Sequence, residues 1–334
     1  MKRLCCLLSF AVAGFSQQPA AQTPRPAPKT VFTGGIEIPA ADRVELQAGL
    51  NRLRAATEKL KGNPLLPDVL IYQEAVRFGL QYNEILTPAE IAKAKTLLAH
   101  GEERASQLAT GQSPWTTASG LVVRGYISKI DKSVQPYGLV VPPSFSATAP
   151  HPWRLDTWFH GRTETLTEIN FLSEREARMG DFTPRDTIVL HLYGRFCNAS
   201  KLAGEVDFFE ALDAVKKNYR IDENRILIRG FSMGGASAWS IGTHFAGMWA
   251  GVAPGAGFTE SAQFLRLKLD GPNPPPAWEQ TVPRGLKRLR GASAGLACER
   301  LLLRQGGKLA WSAGRFSRFQ VFRRLPWRWS AWRR

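Results

Sequence analysis

Arg225-Ile226-Leu227-Ile228-Arg229-Gly230-Phe231-Ser232-Met233-Gly234-Gly235 is the stretch whose reading decides the fold. The apolar run Ile226-Leu227-Ile228 reads as a strand, and Gly235 to Phe245 reads as a helix. Between them, Gly230-Phe231-Ser232-Met233-Gly234 has the spacing G-x-S-x-G. A sharp strand-to-helix turn strains the central residue, and glycines two before and two after it remove side chains that would collide. The turn exposes the Ser232 hydroxyl at the carboxyl edge of a sheet and at a helix N-terminus. There, free N–H groups and the helix dipole favour developing negative charge. Ser232 is the candidate nucleophile, and Gly230, Gly234 and Gly235 shape the elbow.

Working outward, strands and helices alternate. Gly120 to Ile130 and Val134 to Val141 are β-rich, and Leu155 to Phe159 and Thr187 to Tyr193 are apolar strands. Leu166 to Met179 and Val206 to Lys217 are helical, and Trp249 to Ala253 begins another strand. This alternation predicts an α/β fold, a mostly parallel sheet with helices on both faces. Upstream, Ala41 to Gly62, the segment from Pro67 to about Leu80, and Pro88 to about Leu108 read as three helices of a small appendage. The last opens on a capping box, Thr87-Pro88-Ala89-Glu90. The bland role of this appendage is packing on the α/β domain or shaping the mouth of the site.

An acyl-transfer site needs two backbone N–H groups to receive an oxyanion. Met233 supplies one. Phe159-His160-Gly161-Arg162, at the end of a strand, is the candidate source of the other, from Gly161 or Arg162. Tyr193-Gly194-Arg195 ends the next strand at the same edge, where ligands of open sheets bind. His160, Tyr193 and Arg195 are therefore candidate substrate contacts, although an arginine there also serves as a structural clamp on a loop. His191 lies inside an apolar strand and reads as a core histidine.

The elbow with its flanks, His160-Gly161, and the stretch Ala203 to Gly230 with Glu205, Asp207 and Tyr219-Arg220-Ile221-Asp222 resemble the prolyl oligopeptidase family and related secreted esterases. The resemblance covers roughly residues 115–258. It implies the α/β-hydrolase fold, a Ser-Asp-His triad in that chain order, and hydrolysis of a peptide or ester bond through an acyl-enzyme. Peptide cleavage of prolyl oligopeptidase type is the first expectation. A carboxylic ester hydrolase, acting on feruloyl, acetyl or polymer esters, is the second. No metal or organic cofactor is implied.

The acid and base should follow Ser232. Only His244 does so among histidines, about 18 Å along the helix from Ser232 at 1.5 Å per residue, and the last aspartate is Asp270. Residues 271–334 hold 14 Lys and Arg against 2 acids, five of the ten Trp, and no Asp, His, Tyr, Ile or Met. Three accounts compete: a reading-frame shift near Trp278; a catalytically inactive hydrolase-fold binding protein with a basic tail; and a base, His160 or His191, from earlier in the chain.

The net charge of +16 sits mostly in that tail, and the first 270 residues carry only +4, which argues against a specific nucleic-acid partner. Lys2 and Arg3 precede a 12-residue apolar run, Leu4 to Phe15, with Ala20 and Ala21 near a cleavage point. This is a secretory signal pattern, too short to span a bilayer. Processing leaves Cys197 and Cys298, with neither metal-ligand spacing nor a disulfide framework. The expected division is a signal peptide at 1–22, a linker at 23–37, the helical appendage at 38–112, a hydrolase domain at 115–270 that is incomplete at its C-terminal end, and a basic tail at 271–334 that is disordered or out of frame.

Overall fold

The computed structural model describes residues 34–258 and the backbone of 301–305 and 308–312. The signal segment, most of the linker and most of the basic tail lie outside the described residues. Three helices come first: α1 (Ala40–Glu58), α2 (Pro67–Gln81) and α3 (Pro88–Ala109). The sheet follows as β1 (Gly120–Ile127), β2 (Val134–Val141), β3 (Trp153–Phe159), β4 (Thr187–Leu192), β5 (Ile221–Phe231) and β6 (Gly251–Gly255). Between strands run α4 (Glu168–Ala177), α5 (Ala203–Asn218) and α6 (Met233–His244). Two strands from the basic tail extend the sheet: β7 (Leu301–Gln305) pairs antiparallel with β6, and β8 (Lys308–Ser312) pairs antiparallel with β7.

The strand order is β1-β2-β4-β3-β5-β6-β7-β8. Strands β4, β3, β5 and β6 are parallel, and β2 runs antiparallel to both neighbours. Crossover helices on both faces and a serine elbow after β5 make this the α/β-hydrolase fold. Strand β2 is buried along its whole length. It tolerates Pro136 because the ladder to β4 begins only at Tyr137, so the missing N–H costs no bond there.

The helical appendage is not a loose attachment. Its Leu46, Leu53, Val69, Ile71 and Leu97 join the same buried cluster as the sheet's Leu139, Leu155 and Ile188. Asp68, in the first turn of α2, is the joint. Its carboxylate accepts hydrogen bonds from Trp115 Nε1 (2.9 Å), Arg124 Nε (3.1 Å) and Nη2 (2.9 Å), and the Gly125 N–H (2.9 Å). A Cβ at Gly125 would stand 2.6 Å from Ile71 Cγ2 and closer still to Pro67 O, so only glycine lets α2 lie on β1. The appendage thus packs on the β1–β2 side of the sheet.

At the start of α3 the capping box is rearranged. Thr87 makes no side-chain cap. Glu90 instead accepts from the Leu86 N–H (2.8 Å), from Thr87 Oγ1 (3.3 Å) and from Asn170 Nδ2 of α4 (3.1 Å). The carboxylate thus ties the residue before the N-cap and the Thr87 hydroxyl to α4 in place of the reciprocal bonds of the box.

Candidate active site

The elbow forms as its spacing demands. Ser232 has φ 55° and ψ −116°, and it caps the N-terminus of α6. Its N–H donates to Gly255 O at 2.9 Å. A Cβ on Gly234 would stand 2.8 Å from His160 O and nearer still to Phe159 O; one on Gly230 would meet the Gly234 carbonyl. One on Gly235 would stand 2.8 Å from Gly257 Cα. All three glycines are thus required by backbone contacts. The floor that Gly235 packs on, Pro254-Gly255-Ala256-Gly257, is a feature that sequence reasoning missed. Its signal was the glycine density just after an apolar strand.

Ser232 is exposed, and Met233 begins the first turn of α6, whose amides have no intrahelical acceptors. Gly161 lies beside the nucleophile: a Cβ there would stand 3.8 Å from Ser232 Cβ and 3.6 Å from Phe231 O. The structure therefore brings together Ser232, Met233 and the Gly161–Arg162 segment. The Arg162 side chain points away into an exposed ion pair with Glu164.

The other candidates are occupied elsewhere. Arg195 is a clamp: its guanidinium donates to Asp131 Oδ2 (2.8 Å) and Oδ1 (3.2 Å) and to Ser133 Oγ (3.4 Å), and it lies 3.5 Å from Asp207. Tyr193 is buried, its ring against Phe171 and its carbonyl 3.1 Å from His160 Nε2. Asp207 is the hidden organiser behind them, bonded to the Tyr126 hydroxyl and pushed up to about 6 by burial, against the lowering effect of Tyr126 and Arg195.

All five histidines of the chain fall in the described residues, and four of them are engaged with other groups. His100 pairs with Glu176 (3.0 Å) on the appendage side. His151 packs edge-on to Trp153, at the amino end of β3. His160 turns Nδ1 to Gly161 O (2.8 Å) and Nε2 to Tyr193 O (3.1 Å), so neither ring nitrogen addresses Ser232. His191 is buried and accepts from Arg175 Nη1 (2.9 Å). Burial, then Arg175 and His160, push its pKa down to about 3. It is a neutral core histidine. His244 is exposed at the far end of α6. The reading in which His160 or His191 serves as the base is not met by this geometry.

A cavity of about 960 Å³ runs from the elbow along the sheet face opposite α6, lined among others by Trp158, Gly161, Phe182, Arg229, Phe231 and Gly255. Trp158, Arg229 and Ala253 share one row across β3, β5 and β6, hence one face. Phe182 stacks on Trp158 (6.0 Å between centroids) and under the Arg229 guanidinium (4.1 Å). Among the described residues no group of three His, Cys, Asp or Glu side chains is placed to hold a metal ion, and no helix is long and apolar enough to cross a membrane.

Residues 199–268 match the family model described as the prolyl oligopeptidase family. The matched segment contains the elbow and stops two residues before Asp270. No curated protein matches the chain. Among solved structures, fluorophosphonate-binding serine hydrolase F of Staphylococcus aureus is similar at 19% identity, over 47% of this chain and 63% of that one, with TM-score 0.33. S-formylglutathione hydrolase (FrmB) of Staphylococcus aureus is similar at 17% identity, over 52% and 69%, with TM-score 0.33. A ferulic acid esterase of Anaeromyces mucronatus is similar at 15% identity, over 42% and 58%, with TM-score 0.30. The chain spans less than two thirds of the length of the first and third of these.

Proposed function

We propose, from a strained serine elbow lying inside a segment matched to the prolyl oligopeptidase family, that this chain is a serine hydrolase forming an acyl-enzyme on Ser232. The observation that carries the reading is the φ 55°, ψ −116° conformation of Ser232 at a strand-to-helix turn, with Gly161 beside it. Met233 and the Gly161–Arg162 segment supply the oxyanion N–H groups. The substrate is a peptide or an ester.

The family match supports peptide cleavage. The histidine placements favour the ester reading for the chain as it stands. An amine leaving group needs a proton from a general acid, which here no histidine is placed to give, whereas an activated ester leaves without one. The residual rate then rests on the oxyanion donors and binding, roughly 10³ to 10⁴ over water.

The test is labelling with a fluorophosphonate probe, alongside hydrolysis of p-nitrophenyl acetate and a prolyl peptide anilide, in the wild type and in Ser232→Ala. Slow labelling that maps to Ser232 and vanishes in the variant is expected, with ester turnover well above peptide turnover. Labelling that persists in Ser232→Ala sinks the reading. Export directed by residues 1–22 belongs to the same proposal. Mass spectrometry of the mature N-terminus should find it near Ala20 and Ala21; retention of Met1 to Phe15 on the mature protein argues against it.

A further inference from the structure

The loop after β4 is the most contorted part of the described chain. Arg195, Phe196, Ala199, Ser200 and Leu202 all have positive φ, as does Gly194. Such conformations persist only where the surroundings over-determine them. Asn198 does so from within, donating to Gly194 O (2.8 Å) and Arg195 O (3.4 Å) and accepting from the Ser200 N–H (2.9 Å). Asp131 does so from outside, through its bidentate grip on Arg195.

What this loop presents is Cys197. Its Sγ accepts a hydrogen bond from the Thr163 N–H (3.3 Å) and donates one to Thr163 O (3.2 Å). The thiol is part-buried, and burial raises its pKa above the ordinary value, which preserves the S–H that donates. Thr163 directly follows Arg162. The two bonds therefore hold the peptide planes on either side of Thr163. The preceding plane, Gly161–Arg162, is held by His160 in the tautomer whose Nδ1–H donates to Gly161 O (2.8 Å), with Nε2 3.1 Å from Tyr193 O. Three consecutive planes are fixed by two side chains, and the Arg162 N–H belongs to the first of them.

We propose that Cys197 is a positioning residue: its thiol locks the Thr163 backbone and, together with His160, sets the direction of the Arg162 N–H beside Ser232. The proposal rests on the reading of Ser232 as nucleophile. Losing an oxyanion donor outright costs about 10²- to 10³-fold in rate. Loosening one is expected to cost roughly ten-fold.

The experiment uses the full chain with Cys197→Ala and Cys197→Ser. Two readouts are taken: the rate of fluorophosphonate labelling at Ser232, and amide hydrogen exchange over residues 160–165. Cys197→Ala should label roughly ten-fold more slowly and exchange faster at Arg162 and Thr163, with exchange in β3 and β5 unchanged. Cys197→Ser, which keeps a donor and an acceptor on a shorter bond, should recover about half of the loss on a logarithmic scale. Unchanged exchange in Cys197→Ala overturns the proposal, whatever the labelling shows. So does slower labelling that serine fails to recover at all. If the wild type resists the probe altogether, the reading of Ser232 fails separately, and exchange alone decides whether Cys197 holds Thr163.

Discussion

Leu202 and Ser232 hold the same backbone conformation, φ 52° and ψ −119° against φ 55° and ψ −116°, each at the N-cap of a helix that follows a strand of the parallel sheet. Only at Ser232 does the strain aim a hydroxyl. Leu202 is 81% exposed and buries little in exchange. Such a conformation costs of order 1–3 kcal/mol in a non-glycine residue, and glycine adopts it freely at an entropic cost of about 0.5–1 kcal/mol. Leu202→Gly should therefore raise stability by about 1 kcal/mol, read as a higher urea midpoint. Ser232→Gly should gain a similar amount and lose fluorophosphonate labelling. A lower midpoint for Leu202→Gly would mean that the loop does not carry this strain.

Gly234→Ala tests the elbow from the opposite side. The atoms its Cβ would meet are backbone oxygens of Phe159 and His160, which cannot move without shifting β3 and the oxyanion loop. The expected cost is about 3 kcal/mol, with loss of Ser232 labelling, followed by denaturant unfolding. A variant with wild-type stability and labelling would contradict the packing described for the elbow.

The buried joint between appendage and sheet should be costly to break. The Asp68 and Arg124 side chains are 2% and 3% exposed, so removing one leaves an uncompensated charge. Asp68→Ala should destabilise by about 3–5 kcal/mol, whereas the double variant Asp68→Leu with Arg124→Met should recover a large part of that loss. A double variant no better than the single one would show that the bonds of Asp68 to Trp115 and Gly125, not the charge pair, hold α2 on β1.

Glu168 carries a pH signature. Burial, reinforced by Glu74 and Glu84 and opposed by Arg77, raises its pKa from 4.5 to about 8. Its Oε2 has no hydrogen-bond partner in the protein. The folded state thus binds the proton more tightly than the unfolded chain, so the stability that this proton supports is complete below pH 4.5 and is lost progressively up to about pH 8. Compared with wild type, Glu168→Gln should be nearly isostable at pH 4.5 and more stable by a few kcal/mol at pH 8.5. Parallel pH profiles for the two proteins would show that Glu168 is ionised in the folded state.

Much of the fold was legible locally. Strand β2 was read with its observed ends, α3 with its observed start, and the elbow with all three of its glycines, because each depends on a periodicity or steric demand contained within about ten residues. The appendage reads as helices that pack on the α/β domain or shape the mouth of the site, but where they sit is not legible, since Gly125 under Pro67 is a contact that no local pattern announces. In place of the local box at Thr87, Glu90 binds Asn170 of α4, 80 residues further on.

By itself, then, the sequence determined that a serine stands on a strained strand-to-helix turn, that strands and helices alternate around it, and that no histidine follows it except one at the far end of its own helix. These are statements about neighbours along the chain. Which side chains meet was decided only by the tertiary structure: Arg195 on Asp131 64 residues away, Cys197 on Thr163 34 residues away, and the ring nitrogens of His160 on carbonyls rather than on Ser232. The physical reason is that a buried polar group takes whichever partner the packed chain brings within hydrogen-bond distance, and that proximity is created by the closing of the sheet.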